Sequence, residues 1–275
     1  MKGKVQVDYA LFKINEMFRV VDISNPLVIA KDKDEAVVIS LNRKFDRVPI
    51  KKDGKILTYY DSNLKSETEI KTDYILSNSV GILQTFIYLS KRDFYFILSG
   101  NELTHIVHYS DLNRPLSLIA IYTQIAYCEM AIRNFARKEN NDNTINGIVG
   151  FLNKLNDNIK SNVKIKVQNA KSQFEQKVES VQTDVFDELY FDDELLLFRE
   201  LVDSRLDSSE QTVFKTNIIN LDDQSIKCFK DLRNEIMHAK PVFIHNSTDV
   251  GKWLKFLQGC QFIISVIDGK TVFLQ

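Results

Sequence analysis

The order strand, helix, strand, turn, strand occurs twice in the first 112 residues, offset by about 50. A repeat of that length commits a chain to two copies of one supersecondary unit. In the first copy Leu27-Val28-Ile29-Ala30 reads as a strand. Asp32 to Asn42 then carries Ala36, Val37 and Leu41 at helical spacing. Arg47-Val48-Pro49-Ile50 and Ile56-Leu57-Thr58-Tyr59-Tyr60 are strand-like, joined by the turn Lys52-Asp53-Gly54-Lys55. In the second copy Tyr74-Ile75-Leu76 precedes a helix from Val80 to Ser90. The strand Phe94 to Leu98, the turn Ser99-Gly100-Asn101-Glu102 and the strand Thr104 to Tyr109 follow. Asp61 closes the first copy and Asp111 the second. Upstream, Leu11, Ile14, Phe18 and Val21 suit a short helix that Asn25-Pro26 breaks.

The texture changes at Asn113-Arg114-Pro115, where proline suits the first position of a helix. Residues 115 to 138 read as one long helix with Leu118, Ile119, Ile121, Tyr122, Ile125, Met130 and Phe135 as its apolar set. A polar loop over 138–146 and a helix over 148–159 follow. Residues 160–182 suggest an exposed helix or a mobile segment. Its Lys160, Lys164, Lys166, Lys171 and Lys177 are either a basic patch for RNA phosphates or a solvated helix face. The acidic run Asp187 to Glu194 is a helix start or a set of hard-cation ligands. Further helices are expected over 195–206, from about Asp222, and from Thr248 to Ile267. The last is apolar on much of its surface and belongs in a core or at a dimer interface. The expected fold class is α+β, with an α/β pair over 1–112 and an all-α domain over 113–275.

Composition narrows the function classes. A net charge of −1 gives no global basic field, so any RNA site must be a local groove. Cys128, Cys228 and Cys260 form no CxxC pair and sit among apolar neighbours, which suits buried thiols in a reducing cytoplasm. Met1-Lys2-Gly3-Lys4 leads into mixed sequence, not an apolar signal-peptide core. Ser117, Thr123, Gln124 and Glu129 interrupt the apolar stretch Leu116 to Ala131, which reads as a core helix, so no membrane partner is expected. His105 and His108, three apart on a strand, point to opposite faces, and no metal site is expected. Gly-rich phosphate loops, HExxH helices and Gly-x-Ser-x-Gly elbows are absent from the sequence, which argues against those enzyme classes.

The stretch richest in chemistry is Asp231-Leu232-Arg233-Asn234-Glu235-Ile236-Met237-His238-Ala239-Lys240-Pro241. Ile226, Phe229, Leu232, Ile236 and Met237 recur at helical spacing, and Pro241 ends the helix. His238 falls in or just past the last turn, where the negative end of the dipole favours an imidazolium. Asn234 and His238 share a face, and Arg233 lies roughly 140° round the helix from His238. Arginine's charged fork suits phosphate oxygens, and histidine exchanges protons near neutral pH. Together they suit cleavage of RNA by its own 2′-hydroxyl, and a symmetric dimer would juxtapose two such pairs.

Arg233-Asn234 followed by His238, late in an all-helical region, resembles the signature of the HEPN superfamily (higher eukaryotes and prokaryotes nucleotide-binding domain). Many HEPN proteins are metal-independent ribonucleases that act as homodimers, often as toxins or antiviral effectors. The resemblance implies catalytic roles for Arg233, Asn234 and His238 without a catalytic cofactor, and a first-helix acid for which Glu129 is the candidate. A non-catalytic HEPN-like dimer that binds a nucleotide or a partner is the alternative. A tyrosine two residues past the histidine marks HEPN toxins regulated by AMP transfer; Lys240 stands there instead. The upstream repeat resembles tandem CBS domains (cystathionine β-synthase type), which often bind adenine nucleotides. That likeness implies a regulatory ligand held by Thr58, Asp61 and Asp111. His108 stands where the second copy would carry threonine, and Lys55 and His105 stand where a glycine usually precedes the strand. Asp61 and Asp111 could instead cap the helices that follow them.

Overall fold

The computed structural model describes residues 17–140, 189–203, 223–238, 240 and 242–267. Their order is α1 (Val20–Ile23), β1 (Asn25–Pro26), α2 (Lys33–Arg43), β2 (Arg47–Lys52), β3 (Lys55–Asp61), β4 (Ser66–Glu69), β5 (Ile75–Ser77), α3 (Ile82–Leu89), β6 (Phe94–Ser99), β7 (Glu102–His108), α4 (Pro115–Asn140), α5 (Phe191–Asp203), α6 (Asp223–Met237) and α7 (Ser247–Ile267). The fold is α+β. The expected helix over 148–159 and the lysines from Lys160 to Lys177 lie outside the described residues.

The chain divides into two compact units. One takes Asp8–Ala120 with Pro241–Leu254, and the other Met1–Val7, Ile121–Lys240 and Lys255–Gln275. In the first, both hairpins form where their turns direct. Asp53 and Gly54 sit at φ 49° and 79°, the pair of positive values that matches the twist of the flanking strands. Gly100, at φ 62°, opens the second hairpin. The sheets run β2-β3-β4 and β1-β7-β6-β5. The two copies share one connectivity. β5 runs parallel to β6 across α3, and Ala30 makes a parallel bridge to Ile50 across α2; an antiparallel hairpin follows each. The expected strand Leu27–Ala30 shrinks to contacts at its ends. Leu27 N–H donates to Thr104 O, while Ala30 exchanges backbone bonds with Pro49 and Lys51.

Apolar side chains form two clusters, one within the first copy and one that joins Tyr59 of the first copy to the second. Ala30, Ala36, Val48, Ile50 and Tyr60 form one cluster. Tyr59, Phe94 and Phe96 form the other, with ring centroids 5.5–5.8 Å apart. The sequence misplaces part of the α2 face, because Leu41 is 74% exposed while Ser40 is buried. A downstream segment joins this unit. The Asn113 side chain accepts from the N–H groups of Phe243 and Ile244 and donates to Ile244 O, much as a neighbouring strand would. Phe243 packs edge-on against the buried Trp253.

The second unit is helical. α4 buries Ile121, Ile125, Cys128, Ile132 and Ala136, a row at spacings of three and four. Tyr122 and Met130, expected in its core set, are exposed, as is Ile119 on its first turns. An 18-residue window within Pro115–Lys138 has a mean hydropathy of 1.3, enough by length and composition alone to cross a membrane. Asp192, Asp193 and Glu194 fill the first turn of α5, so the described end of the acidic run is a helix start; Asp187 and Glu188 lie outside the described residues. α6 lays Ile226, Phe229, Leu232 and Ile236 into the core, and Phe229 meets Phe256 of α7 edge-on at 4.9 Å. Cys128 and Cys260 are buried; Cys228 is exposed, contrary to its apolar neighbourhood in sequence.

Candidate active site

The buried row of α6 fixes which way its polar residues face. The helix ends at Met237, and His238 stands in the turn beyond, its N–H donating to Asn234 O at 3.0 Å. The imidazole is exposed at the negative end of the helix. One turn earlier Arg233 is only 26% exposed, and it is held from two sides. Its Nε donates to Glu129 Oε1 of α4 at 3.0 Å, and its Nη1 reaches Asn234 Oδ1 at 3.4 Å. Guanidinium has five N–H donors. Two are engaged in these bonds, and the rest of the fork is left for other acceptors.

Glu129 is itself shared. Its second oxygen lies 3.8 Å from Arg133 Nη2, one helical turn along α4. Arg133 Nε in turn donates to Glu194 Oε1 of α5. The result is an alternating chain Arg233–Glu129–Arg133–Glu194 across three helices. Its inner end is the most deeply placed, with Glu194 only 1% exposed. Burial pushes the Glu194 carboxyl up from 4.5 to about 7, against the pull of Arg133. Next to it Asp192 pairs with Lys230 of α6 at 2.8 Å.

The structure therefore brings Arg233, Asn234 and Glu129 together, with His238 just past the same helix end. Sequence reading did not single out Arg133, and it placed Glu194 only in the acidic run, as a helix start or a cation ligand. Glu129 and Arg133 are four apart on one helix, a spacing that favours pairing and was a readable signal. No local signal ties Glu194 to Arg133, which is 61 residues away.

The three ligand candidates of the N-terminal unit are engaged differently. Thr58 Oγ1 donates to Glu67 Oε1 of β4 at 2.6 Å, and Lys52 reaches the same oxygen. Asp61 Oδ1 accepts from the N–H groups of Asn63 and Leu64, closing the turn after β3, and Arg47 lies 3.7 Å from its other oxygen. No helix follows Asp61, so what it caps is a turn. Asp111 accepts from His108 N–H and Asn25 Nδ2 and pairs with Arg114 at 3.2 Å. A cavity of about 190 Å³ in this unit is lined by Lys44, Phe45, Arg47, Phe94 and His108 among others, and by none of the three candidates. Among the described residues no group of three or more His, Cys, Asp or Glu side chains could hold a metal ion.

Comparison with known protein families, with curated proteins and with solved structures finds no match to this chain.

Proposed function

We propose that the chain is a metal-independent endoribonuclease of HEPN type, active as a homodimer and controlled by a CBS-like sensing module at its N-terminus. The observation that carries the reading is the 3.0 Å pair between Arg233 and Glu129 beside an exposed helix-terminal His238. A half-buried arginine anchored through Nε presents the remainder of its fork in a fixed direction, as phosphate recognition requires. In cleavage, a base takes the 2′-hydroxyl proton and the oxygen attacks phosphorus. Arg233 stabilises the crowded phosphate, and an acid protonates the departing 5′-oxygen. His238 of one protomer serves as base and that of its partner as acid. Asn234, whose Oδ1 lies 3.4 Å from Arg233 Nη1, positions substrate beside it. Such a protein belongs in the cytoplasm as a defence or toxin effector.

Support for the sensing module is the shared connectivity of the two N-terminal copies. Its ligand site is better sought in the cavity beside Arg47 and His108 than at Thr58, Asp61 and Asp111, whose polar atoms already have partners. At about 190 Å³ that cavity is below the usual ~300–1,000 Å³ of small-molecule sites. An adenine nucleotide would have to open it.

The test is incubation of purified protein with labelled mixed-sequence RNA in excess EDTA, with and without adenine nucleotides. Arg233→Ala and His238→Ala variants run alongside. Cleavage by the wild-type chain alone is the expected outcome. Full cleavage by Arg233→Ala would remove the ribonuclease reading, and binding without cleavage under any nucleotide would favour the non-catalytic dimer.

A further inference from the structure

The helical unit contains a cavity of about 350 Å³ between α5 and α6, lined by Asp192, Leu196, Ile226, Lys227, Lys230 and Asp231. This volume falls within the ~300–1,000 Å³ of small-molecule sites. Its place follows from helix geometry. At 100° per residue Lys227, Asp231, Asn234 and His238 lie within roughly 60° of one another, so the cavity opens on the face of α6 that His238 continues. Asp231 precedes His238 by about 10 Å along the axis.

The lining is a mixture of apolar wall and opposed charges. Leu196 and the buried Ile226 supply apolar surface. Lys230 is taken by Asp192 at 2.8 Å, but the second Asp192 oxygen is buried with no hydrogen-bond partner, an arrangement that costs energy until a donor arrives. Lys227 and Asp231 are four apart, yet form no ion pair with each other or with another described residue, although Asp231 lies in the field of Lys230. With lysine N-terminal to the acid, this is the weaker orientation for pairing on a helix. Among the described lining residues two cations and two carboxylates cancel, which gives this lining no net attraction for a phosphate. It suits a flat neutral group with an apolar face and adjacent donors and acceptors on its edge.

We propose that this cavity is a nucleobase subsite that selects guanine beside the scissile phosphate of an RNA substrate. The proposal rests on the ribonuclease reading and adds a base preference to it. Guanine offers two neighbouring donors, N1–H and the 2-amine, which match the two oxygens of the Asp231 carboxylate. Its O6 accepts from the Lys227 ammonium, as lysine commonly binds that atom. Leu196 and Ile226 contact the ring.

The test is fluorescence anisotropy with short labelled RNAs that differ only in carrying guanine, inosine or uracil at one position. The protein is the full-length His238→Ala variant, so that binding is read without cleavage. Guanine is expected to bind about tenfold more tightly than inosine, which lacks the 2-amine. Asp231→Asn in the same background should erase that difference, and Lys227→Ala should weaken guanine binding. Both positions are exposed, and circular dichroism checks that each variant folds. Equal binding of guanine and inosine, a preference that survives Asp231→Asn, or no RNA binding at all would each overturn the subsite. Failure of the two readings is separable. Cleavage by the wild-type chain without guanine preference keeps the ribonuclease and removes the subsite. Guanine preference in a chain that never cleaves keeps the subsite and removes the ribonuclease.

Discussion

The two units use their acidic side chains differently. In the N-terminal unit Asp61 and Asp111 are buried, and backbone N–H groups or neighbouring side chains occupy their oxygens. Such carboxylates hold a turn in place and have little left for a ligand. In the helical unit Glu129 and Glu194 alternate with arginines, and the outermost arginine keeps donors beyond those it uses on Glu129 and Asn234. Asp61 and Asp111 each face an arginine as well, Arg47 at 3.7 Å and Arg114 at 3.2 Å, but they also accept from backbone N–H groups, whereas Glu129 is shared between Arg233 and Arg133. The candidates were alike in sequence, and only their partners separate them.

The largest expected effect tests that distinction directly. Arg233→Ala should lower the cleavage rate by about 10²–10³-fold, the usual cost of removing a donor aimed at transition-state charge. Thr58→Val should leave the rate within about twofold. An equal loss from both variants, measured on the same RNA, would erase the contrast between the units.

A second test concerns the deepest member of the chain. Glu194 is raised from 4.5 to about 7, chiefly by burial. A carboxyl raised by folding binds its proton more tightly in the folded state. Stability is therefore full below about pH 4.5 and falls as the pH rises towards 7. The fall amounts to about 3 kcal/mol. Glu194→Gln, compared with wild type by denaturant melts between pH 5 and 8, should flatten this slope. An unchanged slope would mean that Arg133 keeps Glu194 ionised throughout.

Removing a structural carboxylate should cost less. Asp111→Ala leaves His108 N–H, Asn25 Nδ2 and Arg114 without their shared acceptor. A loss of about 2 kcal/mol is expected from denaturant midpoints. Cleavage that collapses while the fold holds would give Asp111 back its ligand-binding role.

Legibility in the sequence follows the range of the interactions. The hairpins were readable because Asp53-Gly54 and Gly100 mark turns whose backbone other residues adopt poorly. α6 was readable because its apolar row has one clear period. β4 was not, because Ser66-Glu67-Thr68-Glu69 is a polar edge strand. Its Glu67 finds Lys52 and Thr58 only once the sheet has formed. The buried face of α4 was misread because apolar residues occur on several of its sides. Ile121, Ile125 and Cys128 face the core, while Tyr122 and Met130 do not. At the site, Arg233, Asn234, His238 and Glu129 could be singled out by residue type and position. The link from Arg133 to Glu194 joins helices distant in sequence and forms only once they pack.

The smallest expected effect reverses the sign of the Glu194 dependence and places it in the other unit. His108 is pushed below its ordinary value of 6.5, first by burial and then by the charge of Arg47, while Asp111, Asp93 and Asp46 pull the other way. Its Nδ1 accepts from Ser110 N–H, a bond that only the unprotonated nitrogen can make. A histidine depressed by folding lends stability above pH 6.5, and this is lost as the pH falls and the unfolded chain takes up the proton first. His108→Asn keeps a side-chain acceptor without the titration. Its stability should decline less than that of wild type between pH 7 and 5.5. Paired with Glu194→Gln, the two melts assign opposite slopes to the two units. A common direction in both would mean that one unit's titration dominates the whole chain.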